Sequence, residues 1–182
     1  MEPISIPTLH TDRLTLTAME AAHSRGVFEL WSHPDVCRYS GQVVDHDGNV
    51  IRTPCTTESQ SDRIIEFWVR AARDGWGFRW SILGREPGSG IFIGMVGFNA
   101  IAPIPEIAFH LHPRFWGNGY MLEATNEAME WATTNLCSHQ FKAFIEDGNT
   151  KAIRLATRLG FSATGRYRSR AQQYQRLGLG SP

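Results

Sequence analysis

The amino-acid sequence predicts an α/β fold in which antiparallel strands come first and a β-α-β crossover follows. Residues 13–17 alternate polar and apolar side chains, as a strand with one buried face does. Residues 76–83 and 91–99 are two strand-like runs joined by a polar turn, which is the pattern of a hairpin. Residues 120–136 carry apolar side chains near the helical period and lie between two further strand-like segments. We expect one domain over residues 1–182.

The first half of the chain adds two helices and one irregular segment to these strands. A helix is expected over 21–31, and His33-Pro34-Asp35 ends it, because proline disfavours helix at the residue before it. Residues 41–57 are the least regular part and contain a strong turn signal at 45–49, so they predict an exposed excursion that can form a small hairpin. A second helix follows and ends near residue 73.

The second half predicts a strand, a long helix, a strand and a short helix, over 106–111, 120–136, 141–145 and 149–158. Gly160 is a natural cap for the last helix, and Phe161 opens another strand. After about residue 165 the alternation is poor, so the final strand is expected to be short, atypical or missing. An open sheet edge would need cover, for example from a second subunit, which admits a homodimer.

Composition and charge exclude several classes of protein. The 182 residues carry 18 basic and 18 acidic side chains, so a surface dominated by nucleic-acid binding is not expected. The most apolar window, 91–111, contains two prolines and a glutamate and does not predict a membrane span. The three cysteines are widely spaced and fit a reducing compartment, and residues 1–10 lack a secretory pattern. We therefore expect a cytoplasmic protein.

The most informative segment is Arg114-Phe115-Trp116-Gly117-Asn118-Gly119-Tyr120, between a predicted strand and the longest predicted helix. Two glycines one residue apart remove side chains at a helix N-terminus and leave backbone N–H groups bare, and this geometry binds phosphate. A basic residue stands at the mouth of the turn. The segment could instead be a plain glycine-rich connection, because a G-x-G pattern alone is weak evidence for phosphate binding. The position of this segment between a strand and a helix favours the phosphate-binding interpretation.

On these residues the chain resembles the GNAT N-acetyltransferase superfamily, and within it the RimJ/RimL-like branch named for ribosomal-protein N-terminal acetyltransferases. Arg114, Gly117 and Gly119 match the superfamily's phosphate motif, Q/R-x-x-G-x-G/A. The branch pattern recurs in order over most of the chain, at Thr11-Asp12-Arg13-Leu14, Ile93-Gly94, Pro113 to Tyr120 with Glu123-Ala124, and Asn149 with Leu159-Gly160-Phe161.

The resemblance implies a mixed, mostly antiparallel central sheet flanked by helices, with a splayed strand pair that holds the cofactor. It implies acetyl-coenzyme A (acetyl-CoA) as donor, and we expect no metal. The diphosphate would lie on the glycine loop and the pantetheine arm along the preceding strand, with a backbone N–H near His110 or Leu111 polarising the thioester. The residues expected to hold the donor are Phe109, Leu111, Arg114, Phe115, Trp116, Gly117, Asn118, Gly119, Tyr120 and Asn149.

Glu106 and His110 are the candidate catalytic bases. Glu106 begins the strand that should line the acceptor, where it could take a proton from an ammonium group; a solvated strand-end charge is the other interpretation. His110 shares a strand face with Glu106 and His112, but a lone histidine in a strand more often packs or faces solvent. Three such residues also admit a metal site, for which spacing alone is poor evidence. Asn149 is equally suited to cap a helix.

Two positions depart from the family pattern. A serine that could return a proton to the departing thiolate is replaced by Ala152, and the tyrosine of many relatives outside the branch is replaced by Ala156. Water or Tyr120 would have to supply that proton. These departures keep a second class of function open, a non-catalytic coenzyme A-binding or sensing module of the same fold. A nucleic-acid-binding domain is a third class, which the neutral charge disfavours.

The sequence thus predicts an acyltransferase that moves an acetyl group from acetyl-CoA to a primary amine, which attacks directly in a ternary complex. No cysteine lies in a nucleophile setting, so no covalent enzyme intermediate is expected. The acceptor, a protein N-terminus or a small-molecule amine, should bind between the first two helices, the 41–57 excursion and the strand near residue 80. Acidic residues on that rim, Asp35, Asp45, Asp47 and Glu58, favour a cationic amine.

Overall fold

A computed structural model describes residues 2–85, 90–168 and 171–177, and the polar turn of the predicted hairpin falls largely outside these ranges. Five α-helices lie in the described ranges, α1 (Ser24–Trp31), α2 (Pro34–Cys37), α3 (Glu58–Arg73), α4 (Tyr120–Asn135) and α5 (Thr150–Arg158). Ten strands lie there too, β1 (Leu9–His10), β2 (Leu14–Ala18), β3 (Val43–Val44), β4 (Val50–Ile51), β5 (Phe78–Gly84), β6 (Phe92–Ala100), β7 (Glu106–Leu111), β8 (Gln140–Glu146), β9 (Ser162–Arg168) and β10 (Ala171–Leu177).

Eight of the strands form one sheet, in the spatial order β1-β2-β5-β6-β7-β8-β10-β9. Neighbouring strands are antiparallel except β7 and β8, which are parallel because the α4 crossover connects them. The prediction of a mixed, mostly antiparallel sheet flanked by helices is therefore confirmed. That one domain spans residues 1–182 stays a prediction.

Helices cover both faces of the sheet. On one face, large side chains such as Phe78, Trp80 and Phe98 belong to the same buried cluster as the apolar residues of α4 and α5. On the other face, Met95 packs with the buried side chains of α1 and α3. Because successive strand residues point to opposite faces, Arg79, between Phe78 and Trp80, faces the α1 and α3 layer. Among the described helices, none combines the length and apolarity needed to cross a bilayer.

The excursion over residues 41–57 forms a hairpin of β3 and β4. Asp45 closes its turn, because it accepts hydrogen bonds from the backbone N–H groups of Asp47 and Asn49. Asp45 also pairs with Arg63 of α3, and this contact is the main reason that its pKa is lowered to about 2. The hairpin is thereby fixed to the helix that covers the sheet.

The final strand is neither short nor missing, as two of the three expected alternatives had it, but its pairing with β9 is irregular. β10 has seven residues and pairs along its length with β8, while β9 lies on its other side. Two register shifts between β9 and β10 break the period of two that a regular strand shows in its sequence, so the alternation looked poor. The sequence patterns also missed α2, which begins at Pro34, where His33 caps it by accepting from the Asp35 N–H.

Candidate active site

The parallel strands β7 and β8 pair at one point and then diverge. Glu106 lies opposite Lys142, and the Lys142 N–H donates to the Pro105 carbonyl at 2.9 Å. Within the described residues no further ladder pair joins these strands, so a slot opens between them toward the C-terminal end of β7. This divergence confirms the predicted splayed pair.

The edge of β7 that faces the slot offers the backbone groups of alternate residues. The His112 N–H donates to Ile93 of β6 at 2.9 Å, so by the alternation of the ladder the backbone groups of Phe109 and Leu111 face the slot. The Leu111 carbonyl accepts from the Trp116 indole N–H at 2.7 Å. Leu111, rather than His110, is thus the residue whose N–H can meet a ligand arm.

The glycine loop presents backbone N–H groups at the N-terminus of α4. Gly117 and Gly119 have φ angles of +80° and +78°, in a region that favours glycine. The N–H groups of Gly117, Asn118 and Gly119 have no hydrogen-bond acceptor among the residues that the structure describes. The first N–H groups of α4 likewise lack partners within the helix. The loop therefore has the features of an anion site.

Trp116 and Lys151 bring the first turn of α5 beside this loop. The Lys151 Nζ lies 3.6 Å from the centre of the Trp116 ring, in a cation–π contact. A lysine in the first turn of a helix is unfavourable to the helix dipole, so its position makes sense if an anion binds nearby. Lys151 is not among the donor residues predicted from the sequence, and its unfavourable position at the start of a helix is the signal that could have pointed to it.

The other predicted donor residues lie around the loop. Arg114 is exposed, with its guanidinium 5.8 Å from the centre of the Phe115 ring. Tyr120 is half-buried, and the Arg13 guanidinium lies 4.5 Å from the centre of its ring. Asn149 accepts a hydrogen bond from the α5 backbone at 3.2 Å, which makes it a helix cap. Its contact with a donor stays a prediction.

Glu106 lies at the closed end of the slot, where a neighbouring side chain holds its carboxylate. Its Oε1 accepts from Asn99 Nδ2 at 2.6 Å, and its Oε2 is 4.0 Å from Lys142 Nζ. A register shift in β6 between Phe98 and Ala100 makes Asn99 the extra residue and aims its amide at the carboxylate. The Glu106 side chain is 19% exposed, so it is enclosed yet open to solvent.

Arg79 stands behind Asn99 and is a buried cation, 2% exposed. Its guanidinium donates to the Asn99 side-chain oxygen and, at 3.0 Å, to the Phe78 carbonyl. The guanidinium lies 3.8 Å from the centre of the Trp68 ring. Burial lowers the pKa of Arg79 to about 9, and the Glu106 charge acts in the opposite direction, so Arg79 stays a cation at neutral pH.

His110 is poorly suited to act as a base. Its ring packs on Trp31, with the ring centroids 4.6 Å apart, and its Nδ1 is buried without a hydrogen-bond partner among the described residues. Burial, and then the charge of Arg79, lowers the pKa of His110 to about 3. The ring is therefore uncharged at neutral pH and is a weak base. These observations favour the alternative interpretation, in which His110 is a packing residue.

Glu106, His110 and His112 share a strand face in sequence but do not form a metal site. In the part of the chain that the structure describes, no group of three or more His, Cys, Asp or Glu side chains could hold a metal ion. His112 instead accepts a hydrogen bond from the Arg114 N–H at 3.3 Å and caps the turn that leads into the loop.

The sheet order, the splayed strands and the glycine loop define a coenzyme A-dependent acyltransferase fold. A family model described as an acetyltransferase (GNAT) domain matches residues 13–162. The chain therefore belongs to the GNAT acetyltransferase family, and it is an acetyl-CoA-dependent N-acetyltransferase.

Three known proteins illustrate the similarity. An uncharacterised N-acetyltransferase, p20, of Bacillus licheniformis is 31% identical over 93% of this chain and 90% of its own. An FsC-acetyl coenzyme A-N(2)-transacetylase of Aspergillus fumigatus is 24% identical over 87% of this chain and 64% of its own. A structure of the ribosomal alpha-N-protein acetyltransferase RimL in complex with coenzyme A superposes with a TM-score of 0.75 at 17% identity, covering 94% of this chain and 98% of RimL, which shows a shared fold.

Proposed function

We propose that this chain transfers the acetyl group to a primary amine that attacks the thioester while both substrates are bound. The observation that carries the proposal is the slot between β7 and β8, with the glycine loop following its open end and Glu106 at its closed end. A donor with its phosphates on the loop would run along the slot toward the carboxylate. The attacking amine would meet the thioester there.

The donor would be held mainly by backbone groups. The N–H groups of Gly117, Asn118 and Gly119 would bind the diphosphate, with Lys151 supplying positive charge beside them. The arm would add to the open edge of β7 at Phe109 and Leu111 as an extra strand. These features fit coenzyme A, whose diphosphate and amide-bearing arm need an anion site followed by an open strand edge.

Glu106 would take the proton that the acceptor ammonium must lose before it attacks. Asn99 satisfies one carboxylate oxygen, and the other is left with Lys142 at 4.0 Å, too far for a strong hydrogen bond. That second oxygen would accept the proton directly or through one water. Arg79 and Asn99 would keep the carboxylate in place without neutralising it by direct contact.

The departing thiolate would take its proton from water. Ala152 and Ala156 are both buried in the core cluster that contains α4, so neither position presents a protonic group to the slot. The ring of Tyr120, the other candidate, packs against the Arg13 guanidinium, 4.5 Å from the ring centre. A coenzyme A thiol is a fair leaving group, and water can supply this proton.

The acceptor would be a small-molecule or peptide amine. RimL is a ribosomal L7/L12 alpha-N-protein acetyltransferase, and the Aspergillus fumigatus relative is an N(2)-transacetylase of FsC. Proteins similar to this chain therefore acetylate different kinds of acceptor. The acidic rim that favoured a cationic amine is largely compensated, because Asp35 pairs with Arg38, Asp45 with Arg63, and Glu58 with a neighbouring arginine. The rim therefore does not select for a cationic acceptor.

The decisive experiment is turnover of acetyl-CoA against a panel of amines, read by the release of free thiol. The panel should contain peptides with different N-terminal residues, amino acids and polyamines. We expect release with at least one class and initial-rate patterns of a sequential mechanism. Tight coenzyme A binding with no release on any amine would instead favour the non-catalytic module.

The cellular setting and the assembly state stay predictions. Cys37, Cys55 and Cys137 are free in the structure, and we propose a cytoplasmic location on the cysteine pattern. The homodimer was inferred from an incomplete final strand. Since β10 pairs with β8 over its seven described residues, that reason no longer applies, and β9 is the edge strand that a second subunit would cover.

A further inference from the structure

A cluster of contacts ties the start of the chain to the glycine loop. Glu123, in the first turn of α4, accepts hydrogen bonds from the Thr11 hydroxyl and from the Arg13 backbone N–H, the latter at 3.0 Å. The Arg13 side chain donates to the same carboxylate through Nε at 2.7 Å and lies within 2.6 Å of it through Nη2. Its remaining arm, Nη1, donates to the Asn118 carbonyl at 2.9 Å.

We propose that Arg13 is a positioning residue of the donor site, which orients the loop amides toward the diphosphate and cancels the charge of Glu123 beside it. The inference rests on the proposed donor site and assigns a task to the Thr11-Asp12-Arg13 segment, which the mechanism has not used. Arg13 would act through the loop and through Glu123, with no bond to the donor.

The planarity of the peptide group links the Asn118 carbonyl to the Gly119 N–H. In a trans peptide the carbonyl of one residue and the N–H of the next point in opposite directions. Arg13 holds the Asn118 carbonyl on its own side of the loop, so the Gly119 N–H points to the other side. The anion site therefore needs this carbonyl to stay where Arg13 places it.

The Glu123 carboxylate lies in the first turn of α4, beside the proposed anion site. A glutamate there is favourable to the helix dipole, but it would repel a diphosphate that uses the same helix end. Burial alone would raise the pKa of Glu123, but the hydrogen bonds from Thr11 and Arg13 and the Arg13 charge outweigh it, and the pKa is lowered. The carboxylate is thus ionised, and only Arg13 supplies the opposite charge in these contacts.

The turn before β2 aims Arg13 at this position. The Thr11 N–H donates to the Leu14 carbonyl at 3.0 Å, and the Leu14 N–H donates to the Thr11 hydroxyl oxygen at 3.0 Å. Leu14 is fully buried, so the turn is anchored in the core. The Arg13 side chain, 45% exposed, leaves this rigid turn toward the loop.

The test compares coenzyme A affinity by calorimetry with turnover of acetyl-pantetheine, a donor that lacks the nucleotide and its phosphates. For Arg13→Gln we expect the Kd for coenzyme A to rise about tenfold, because an unpaired carboxylate then faces the diphosphate. Turnover of saturating acetyl-pantetheine should stay within about twofold of the parent, since no phosphate is involved. The double variant Arg13→Gln/Glu123→Gln should regain part of the lost affinity, because the repelling charge is gone, but it should stay weaker than the parent, because the Asn118 carbonyl still lacks its donor. The control, Arg73→Gln, removes an exposed ion pair with Asp74 and should change neither measurement.

A double variant as weak as Arg13→Gln, or an equal loss with both donors, would overturn the proposal and leave Arg13 a structural residue. Unchanged coenzyme A affinity in Arg13→Gln would overturn it as well. If Arg13→Gln does not fold, Arg13→Lys tests the same point, because it keeps the charge and loses the second arm to Asn118; it should fall between parent and Arg13→Gln. If Gly117→Ala binds coenzyme A as well as the parent, the donor site itself is wrong, which is a separate outcome.

Discussion

The proposed donor side and the proposed acceptor side of the slot are built in different ways. The donor side is mostly one continuous stretch, from Phe109 to Tyr120, to which α5 adds Lys151, and it would work mainly through backbone N–H groups. The acceptor side consists of single side chains from separate strands, with Glu106 on β7, Asn99 on β6 and Arg79 on β5. A contiguous backbone motif can be recognised in a sequence, whereas a set of side chains assembled across a sheet cannot.

This difference also determines how each side should respond to substitution. The donor side depends on a backbone conformation that glycine permits, so a small change of shape should weaken binding and leave the chemical step intact. The acceptor side depends on one carboxylate and its supports, so a change of charge should slow chemistry and leave donor binding intact. Three experiments test this separation, from the largest expected effect to the smallest.

The largest effect is expected for Glu106→Gln. The amide keeps the shape and can still contact Asn99, but it cannot take a proton, so kcat should fall by about a hundredfold to a thousandfold. The Kd for coenzyme A should not change, because the loop is untouched. Glu130→Gln, at an exposed position of α4, is the matched control. A fall of less than about fivefold in kcat would remove Glu106 from the role of base.

An intermediate effect is expected for Gly117→Ala, compared with Gly48→Ala. Both glycines have positive φ, +80° and +83°, and a methyl group at either would meet no atom within 4 Å. Each substitution should cost about 1–2 kcal/mol of backbone strain, so thermal stability should fall similarly. Only Gly117→Ala should raise the Kd for coenzyme A, by roughly tenfold, because only that strain lies in the anion loop. Equal affinities in calorimetry would break the assignment of the loop.

The smallest effect is expected for His110→Gln, measured as the pH dependence of Tm. The pKa of His110 falls from 6.5 to about 3 on folding, so the unfolded chain binds more protons between these values and stability decreases as the pH drops through that window. Removing the ring should reduce the loss of Tm between about pH 7 and about pH 5. His23 and His112 also have lowered pKa values, so some acid sensitivity should remain.

Exposed His139 supplies the control, because His139→Gln should leave that pH dependence as in the parent. The kcat of His110→Gln should stay within a few-fold of the parent if the ring only packs against Trp31. A hundredfold loss of kcat, with unchanged coenzyme A affinity, would restore His110 as a base and break the present assignment of the acceptor side.

Local patterns predicted most of the elements that form the slot. The expected strand at 106–111 is β7, and the expected helix at 120–136 differs from α4 by one residue. Both segments show a clear hydrophobic period and a clear N-terminal boundary. Two prolines precede the strand, and two glycines precede the helix. The sequence did not predict β10 correctly, because its register shifts against β9 disrupt the alternation of polar and apolar residues. It did not predict α2, because a helix of four residues is too short to show a hydrophobic period.

Pairs that are distant in sequence were beyond prediction from one chain. Arg13 and Glu123 were both part of the recognised pattern, yet nothing in the order of residues indicates that they meet. Lys151 meets Trp116 only because α5 packs beside the loop. The low basicity of His110 comes from burial by Trp31 and from a cation two strands away, and the sequence shows neither.

The sequence by itself determined where phosphate should bind, because a glycine loop between a strand and a helix dictates its own geometry through backbone torsions. Only the tertiary structure decided which side chains meet at the closed end of the slot. The pleat of the sheet, one bulge in β6 and the helix layer above it bring Arg79, Asn99 and Glu106 together, and these depend on contacts between elements that the chain order does not specify.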